Sequence, residues 1–261
     1  MSARLDAELA DRGLARSRSN AARLIAEGRV RVDGRVVDKP SLKVTGEQAI
    51  EVDTDHYVSR AAHKLIAALD GFGIDIAGRT ALDMGASTGG FTQVLLERGA
   101  ACVAAVDVGH DQLADEIRGD ERVFAVEGYN VRYMTRASLA EESGIDAAPG
   151  VVTGDLSFIS LSHVLPAVKA VMAEAADVIL LVKPQFEVGR TGVRGGIVVD
   201  DARREAAVAG VLEEAESLGL VVRGLLPSPV EGTHGNREAL LHLRTDGTPR
   251  SWADEIRRAV R

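Results

Sequence analysis

The sequence predicts an α/β protein: a doubly wound, largely parallel sheet preceded by a small α+β module. Three observations carry this. From residue 59 onward short apolar runs alternate with helical segments, the pattern of strands linked by crossover helices. The glycine-rich stretch Thr80–Thr92, TALDMGASTGGFT, joins one apolar run to a helix through a turn. Ahead of both lies a short segment whose charge and periodicity differ from the rest.

At 261 residues the chain has room for one α/β domain and a small companion. The boundaries expected are 1–52 for the module, 53–58 (DTDHYV) for a short polar linker, and 59–261 for the α/β domain. Apolar residues make up 46% and aromatics only 3%, a core of Ala, Val and Leu. No run reaches the roughly 18 apolar residues of a membrane span. The N-terminus has no apolar stretch of the secretory kind. The lone Cys102 lies in an expected strand, reads as a small buried hydrophobe and fits a reducing, cytoplasmic setting.

The net charge of −8 hides an asymmetry. Residues 1–45 hold ten Arg or Lys against six Asp or Glu, so the front is positive and the remainder strongly negative. A basic module on an acidic domain points to a nucleic-acid partner, with a merely solvated charged face as the alternative.

In order, Leu5, Leu9 and Leu14 space a helix ended by Gly13. Ser19–Asn20 cap a second helix, Ala21–Glu27, with Gly28 beyond it. The segment RVRVDGRVV, residues 29–37, alternates about Asp33-Gly34 and predicts a tight hairpin. Val30, Val32 and Val36 are expected on one face, with Arg29, Arg31 and Arg35 on the other. Together with Arg4, Arg16, Arg18 and Arg23 they form a candidate positive surface for nucleic-acid phosphates, which the resemblance given below implies is RNA-binding. Ser59 is expected to cap a helix Arg60–Leu69. Strands follow at Ala81–Leu82, Ala101–Val106, Val123–Val126, Val151–Thr153, Val178–Val182, Leu220–Leu226 and Glu238–Leu243, the last two as an antiparallel pair. Trp252–Val260 reads as a docking helix.

The turn after the first strand has the spacing D-x-G-x-x-x-G-G. Asp83 would repel a pyrophosphate but suits the cationic amino-acid end of S-adenosylmethionine. Gly85, Ser87, Thr88, Gly89 and Gly90 form the candidate cradle, and Asp107 at the end of the second strand is placed for ribose hydroxyls. A nicotinamide cofactor and a purely structural turn remain the alternatives. At later strand ends stand Asp155, in TGDLSF, and Lys183, in VKPQFE. An ammonium ion ending a buried run is costly, which makes Lys183 a candidate proton acceptor. Asp155-Leu156-Ser157-Phe158 lacks the paired prolines of amino-group methyltransferases, which disfavours a base amine as acceptor. Phe158 and Phe186 suit either core packing or stacking on a nucleotide. The loop Gly189–Gly196 carries Arg190 and Arg194 and suits RNA phosphates or plain solvent. The six His residues have no metal-ligand spacing. His234 is a turn residue near Glu238, and no metal is expected.

The runs Leu5-Asp6, Arg12 to Arg18 (RGLARSR), Leu24-Ile25 and Gly28 to Gly34 (GRVRVDG) resemble the RNA-binding module of the ribosomal protein S-four superfamily. With the SRAAHKL stretch and the domain behind it, the whole chain resembles the TlyA (hemolysin A-like) family of rRNA 2′-O-methyltransferases. The resemblance implies a seven-stranded class I methyltransferase sheet and S-adenosyl-L-methionine as cofactor, with Asn130 and Asp155 joining the loop in holding it. It implies an FtsJ-like tetrad of Lys64, Asp155, Lys183 and Glu238, with no metal. The implied substrate is cytidine in small- or large-subunit ribosomal RNA, and the oligomeric state stays open, a monomer included. No amphipathic pore-forming stretch supports hemolysis. A non-catalytic ribosome-assembly factor and a small-molecule methyltransferase are the rival readings.

Overall fold

The computed structural model describes residues 2–15, 17–26, 28–52, 55–189, 192–193, 195–232 and 235–260. The chain divides into two compact units, Met1–His56 and Tyr57–Arg261.

The first unit runs β1 (Ser2–Arg4), α1 (Leu5–Asp11), α2 (Arg18–Ala26), β2 (Val30–Val32), β3 (Arg35–Val36), β4 (Lys43–Thr45) and β5 (Ile50–Val52). Strand β1 pairs antiparallel with β4, and β2 lies between β3 and β5. Leu5, Leu9, Ala21, Ile25, Val30 and Val44 form its core. Helix α2 starts earlier than Ser19–Asn20 would cap it, because the Ser17 hydroxyl accepts the Asn20 N–H at 3.2 Å and takes the capping role. The Arg12 guanidinium donates to the carbonyls of Thr45, Gly46 and Gln48, which ties α1 to the turn after β4.

The hairpin forms about Asp33 and Gly34, both with positive φ (49° and 76°). Its facing differs from expectation. Across a two-residue turn, directly opposed residues share a face, so Arg31 sits with Val36 and Val32 with Arg35. Val36 is accordingly exposed, while Val37, bonded to Val30, packs on the core instead.

The second unit contains α3 (Ala62–Phe72), β6 (Thr80–Met84), α4 (Gly90–Glu97), β7 (Cys102–Val106), α5 (Asp115–Arg118), β8 (Val123–Val126), α6 (Arg136–Ser143) and β9 (Val151–Gly154). It continues with α7 (Leu165–Val171), β10 (Asp177–Val182), α8 (Pro184–Glu187), α9 (Asp201–Ser217), β11 (Val221–Pro227), β12 (Ala239–Arg244) and α10 (Ala253–Val260). These strands make one seven-stranded sheet in the order β11-β12-β10-β9-β6-β7-β8. Five of them are parallel, and β12 runs antiparallel between β10 and β11.

Period-two alternation splits the core. Leu82, Met84, Val152, Leu180 and Val182 face one layer, together with residues of α7 and α9. Ala81, Val103, Val151, Ile179 and Leu181 face α3 and α4 on the other. All six residues of β10 are buried, and each apolar one contributes about 1.5–3 kcal/mol by leaving water. Sheet order reverses between β6 and β9, so the crevice at their carboxyl ends is where an open α/β sheet binds ligands.

Asp177, at the opposite end of β10, accepts from Arg79 at 2.7 Å and Arg244 at 2.9 Å, and sits 2.8 Å from His242 Nε2. Burial works to raise its carboxyl, but these hydrogen bonds outweigh it and hold the group well below the ordinary carboxylate range. This end of the sheet is fastened; the other end carries the site.

Candidate active site

The segment leading into α3 departs from a plain capped helix. Ser59 Oγ accepts the Ala61 N–H, but residues 59–61 form a turn and regular helix begins at Ala62. This segment packs closely on the start of α4: a Cβ on Gly90 would lie 2.8 Å from Ser59 Cβ. Glycine at 90 therefore serves the approach of this segment as well as the start of α4. Gly85, at φ 77°, turns the chain out of β6, and a Cβ there would press on Leu156 and the Asp155 carbonyl.

The loop between β6 and α4 is braced from beside and beneath. Asp107 accepts the Ser87 N–H and the Gly109 N–H, each at 2.8 Å. Asp83 lies entirely buried, accepting the Thr92 hydroxyl at 2.7 Å and the Thr153 hydroxyl at 3.1 Å. Burial pushes its carboxyl up to about 6, against those hydrogen bonds, and Asp155 adds to the rise. Asp83, expected to meet the ligand, turns its side chain between Leu82 and Met84 toward α4 and β9 and supports the loop from below.

Two cavities open on this loop. The larger, about 840 Å³, is lined by Gly85, Ser87, Asp107, Asn130, Asp155 and Phe158, among others. The smaller, about 210 Å³, is lined by Ser59, Thr88, Gly90, Ser157 and Lys183, among others. Both share Gly85, Ser87, Asp155 and Ser157. Gly89 lines neither and packs against Leu113 and Ile117. Asn130 borders the larger cavity while its side chain caps a short 3-10 turn by accepting the Arg132 N–H.

The four charged groups converge. Lys64 Nζ donates to Glu238 Oε2 at 2.7 Å and to Asp155 Oδ2 at 3.4 Å. Lys183 Nζ stands 2.6 Å from Asp155 Oδ1 as an ion pair. It also donates to Ser157 Oγ at 3.1 Å. Burial works to raise the Asp155 carboxyl, but the charges of Lys64 and Lys183 prevail and hold it below the ordinary range. Lys64, Lys183 and Glu238 are all buried; Lys64, which alone would read as a surface lysine, is not one. Two cations and two anions leave the cluster close to neutral, as a buried ionic network must be.

Phe158 is 92% exposed at the mouth of the larger cavity, in the left-handed region at φ 64°. Its ring centroid lies 5.3 Å from that of Phe186. A non-glycine residue in that conformation costs about 1–3 kcal/mol. Sequence reasoning did not single out Ser157, Tyr129 and Gln112, which also line the larger cavity; Ser157 and Tyr129 each lie three residues past the end of a strand, and that position is the signal that was there. Arg4 and Arg18 both reach Asp6, while Arg31 and Arg35 are exposed on the hairpin. Arg16, Arg190, Arg194 and His234 lie outside the described residues. Among the described residues no helix is long and apolar enough to cross a membrane.

Residues 57–245 match the FtsJ-like methyltransferase family, and residues 3–50 match the S4 domain. The chain is 47% identical over 266 residues to the 16S/23S rRNA (cytidine-2′-O)-methyltransferase TlyA of Mycobacterium tuberculosis, covering 99% of this chain and 97% of that one. It is 38% identical to Hemolysin A of Brachyspira hyodysenteriae, covering 92% and 99%. A solved structure from Streptococcus thermophilus that bears a hemolysin name superposes with a TM-score of 0.78 at 37% identity, covering 99% of this chain and 94% of that one.

Proposed function

The chain belongs to the FtsJ-like methyltransferase family, in its TlyA (hemolysin A-like) branch with an N-terminal S4 domain, and on that premise we propose that it methylates the ribose 2′-hydroxyl of cytidine in ribosomal RNA. The observation that carries this reading is the meeting of Lys64, Asp155, Lys183 and Glu238 in one buried cluster beside two adjoining cavities.

The cavities suit S-adenosylmethionine better than a dinucleotide. Their combined space is in the range of small-molecule sites; Lys183 and Arg132 also line it, but the carboxylates of Asp107 and Asp155 both reach it, and these favour a sulfonium and an ammonium and repel a pyrophosphate. Gly85, Ser87, Thr88, Gly90, Asp107 and Asn130 would hold it, with Asp83 supporting the loop. When bound, this cofactor supplies an activated methyl group.

The chain's own residues do the rest. Acting as the free amine, once its own proton has passed to solvent, Lys183 Nζ accepts the proton of the 2′-hydroxyl as that oxygen attacks, and Asp155 beside it balances the charge the amine gains. Lys64, anchored by Glu238, holds the second oxygen of Asp155 and so fixes the direction in which Lys183 points. The exposed Phe158 ring, backed by Phe186, offers a stacking surface for an unpaired base. In the proposed division of labour residues 1–52 bind RNA and residues 59–261 catalyse.

Transfer of tritiated methyl groups to isolated small and large ribosomal subunits, followed by nucleoside digestion, tests the proposal. Label in 2′-O-methylcytidine is expected. Label on a base atom overturns the choice of acceptor, and cofactor binding without transfer to either subunit favours a scaffold.

A further inference from the structure

Glu187 plays no part in the chemistry above, yet it is partly buried and fully engaged. Its Oε1 accepts the Leu161 N–H at 2.9 Å, and its Oε2 accepts the Ser160 hydroxyl. Burial raises its carboxyl above the ordinary range despite both bonds.

Its place in the chain explains what these bonds hold. Strands β9 and β10 are paired only as far as Gly154 and Leu180. Asp155 lies one residue past that ladder and Lys183 three residues past it, so the ladder does not fix one against the other. Beyond the ladder, α8 makes a single turn, with Lys183 as the extended residue before it and Glu187 as its last residue. Lys183 and Glu187 both address the same neighbour, the segment that follows β9. Lys183 meets it at Asp155 and Ser157; Glu187 meets it at Ser160 and Leu161. Phe158 and Phe186 lie between the two attachments.

We propose that Glu187 is a positioning residue: its carboxylate pins the segment after β9 to the turn after β10, holding Asp155, Ser157 and Phe158 in register with Lys183. The inference rests on the methyltransferase reading for its kinetic test. It acts on alignment, so the loss belongs in kcat rather than in cofactor binding.

The test compares the parent chain with Glu187→Ala, Glu187→Gln and Ser160→Ala, using methyl transfer to ribosomal subunits and calorimetry with S-adenosylmethionine. Glu187→Ala is expected to lose about 100-fold in kcat, the scale of a misalignment near 1 Å, with cofactor Kd within about twofold. Glu187→Gln keeps an acceptor for the Leu161 N–H and is expected to stay within about fivefold of the parent. Ser160→Ala should fall between them. A Glu187→Ala kcat within about threefold of the parent overturns the proposal, as does a matching loss of cofactor affinity. Should Glu187→Ala not fold, an unchanged kcat in Ser160→Ala overturns it instead. Hydrogen exchange across residues 156–163 and 183–188 reads the pinning without any activity: faster exchange in Glu187→Ala or Ser160→Ala is expected, and unchanged exchange overturns the proposal. A parent chain that transfers to no subunit, but whose variants exchange faster, would count against the methyltransferase reading alone.

Discussion

Replacing Asp83 by Asn removes a titrating carboxyl from beneath the cofactor loop with little change of shape. The amide oxygen still accepts one hydroxyl, and the other hydroxyl turns to accept from the amide nitrogen. In the parent the group is fully buried, and burial raises it from 3.8 to about 6. The folded chain therefore holds this proton more tightly than the unfolded chain. The stability the group contributes is complete below 3.8 and is lost as pH rises through about 6. Over the whole window the rise corresponds to about 3 kcal/mol, of which about 2 kcal/mol falls between pH 4.5 and 7.5. Urea unfolding of parent and Asp83→Asn at pH 4.5, 6.0 and 7.5 isolates it, because other titrating groups cancel in the difference. The parent should lose about 2 kcal/mol relative to the variant toward the higher pH. A difference independent of pH would refute the buried ionisation, and one that moved in the parent's favour would refute its sign.

Lys183→Ala should lower kcat by at least about a thousandfold, since both proton acceptor and alignment go, while calorimetry finds cofactor affinity within about twofold; retained methylation would remove Lys183 from its role. Arg31→Glu reverses a charge on the exposed face of the hairpin. It should weaken RNA binding, with the log–log salt slope flatter by about one contact and the thermal midpoint unchanged; an unchanged slope would place RNA elsewhere. Asp177→Ala leaves Arg79, His242 and Arg244 without their shared acceptor and should cost about 3–5 kcal/mol in urea unfolding. Because the Asp177 carboxyl is held low in the folded chain, its contribution is present at neutral pH and lost as pH falls below about 3.8 and on through the lower folded value, so the gap between parent and variant should narrow in acid.

The sheet was legible because its strands are nearly continuous apolar runs, which only a sheet covered on both faces requires. All seven strands fall where those runs lie, with ends shifted by a residue or two. The errors are errors of facing. Val36 was assigned to the core side by counting alternation straight through a turn, although a two-residue hairpin makes opposed residues share a face and so reverses the parity. Asp83 reads as a ligand group because a carboxylate beside a glycine turn suits the cationic end of the cofactor, a reading that takes no account of facing. Period two along β6 instead turns Leu82 and Met84 to one layer and Asp83 to the other, where Thr92 and Thr153 meet it.

The tetrad separates what local pattern conveys from what only the assembled fold conveys. Asp155 and Lys183 each end an apolar run, and a polar group at the carboxyl end of a parallel strand is aimed at the crevice by topology alone. Lys64 and Glu238 carry no such mark: one lies in the first turn of α3, the other just before an antiparallel strand, and 174 residues separate them. Their meeting depends on β12 inserting between β10 and β11, which places Glu238 next to Val182 and Lys183 at the active end of the sheet. Gly90 bears on the same end of α3: a Cβ there would lie 2.8 Å from Ser59 Cβ and 3.3 Å from the backbone nitrogen of Ala62, the first residue of that helix and two residues before Lys64. The glycine that reads as a cofactor glycine is thus also a close packing partner of the segment that carries Lys64, and no spacing rule along the chain links the two.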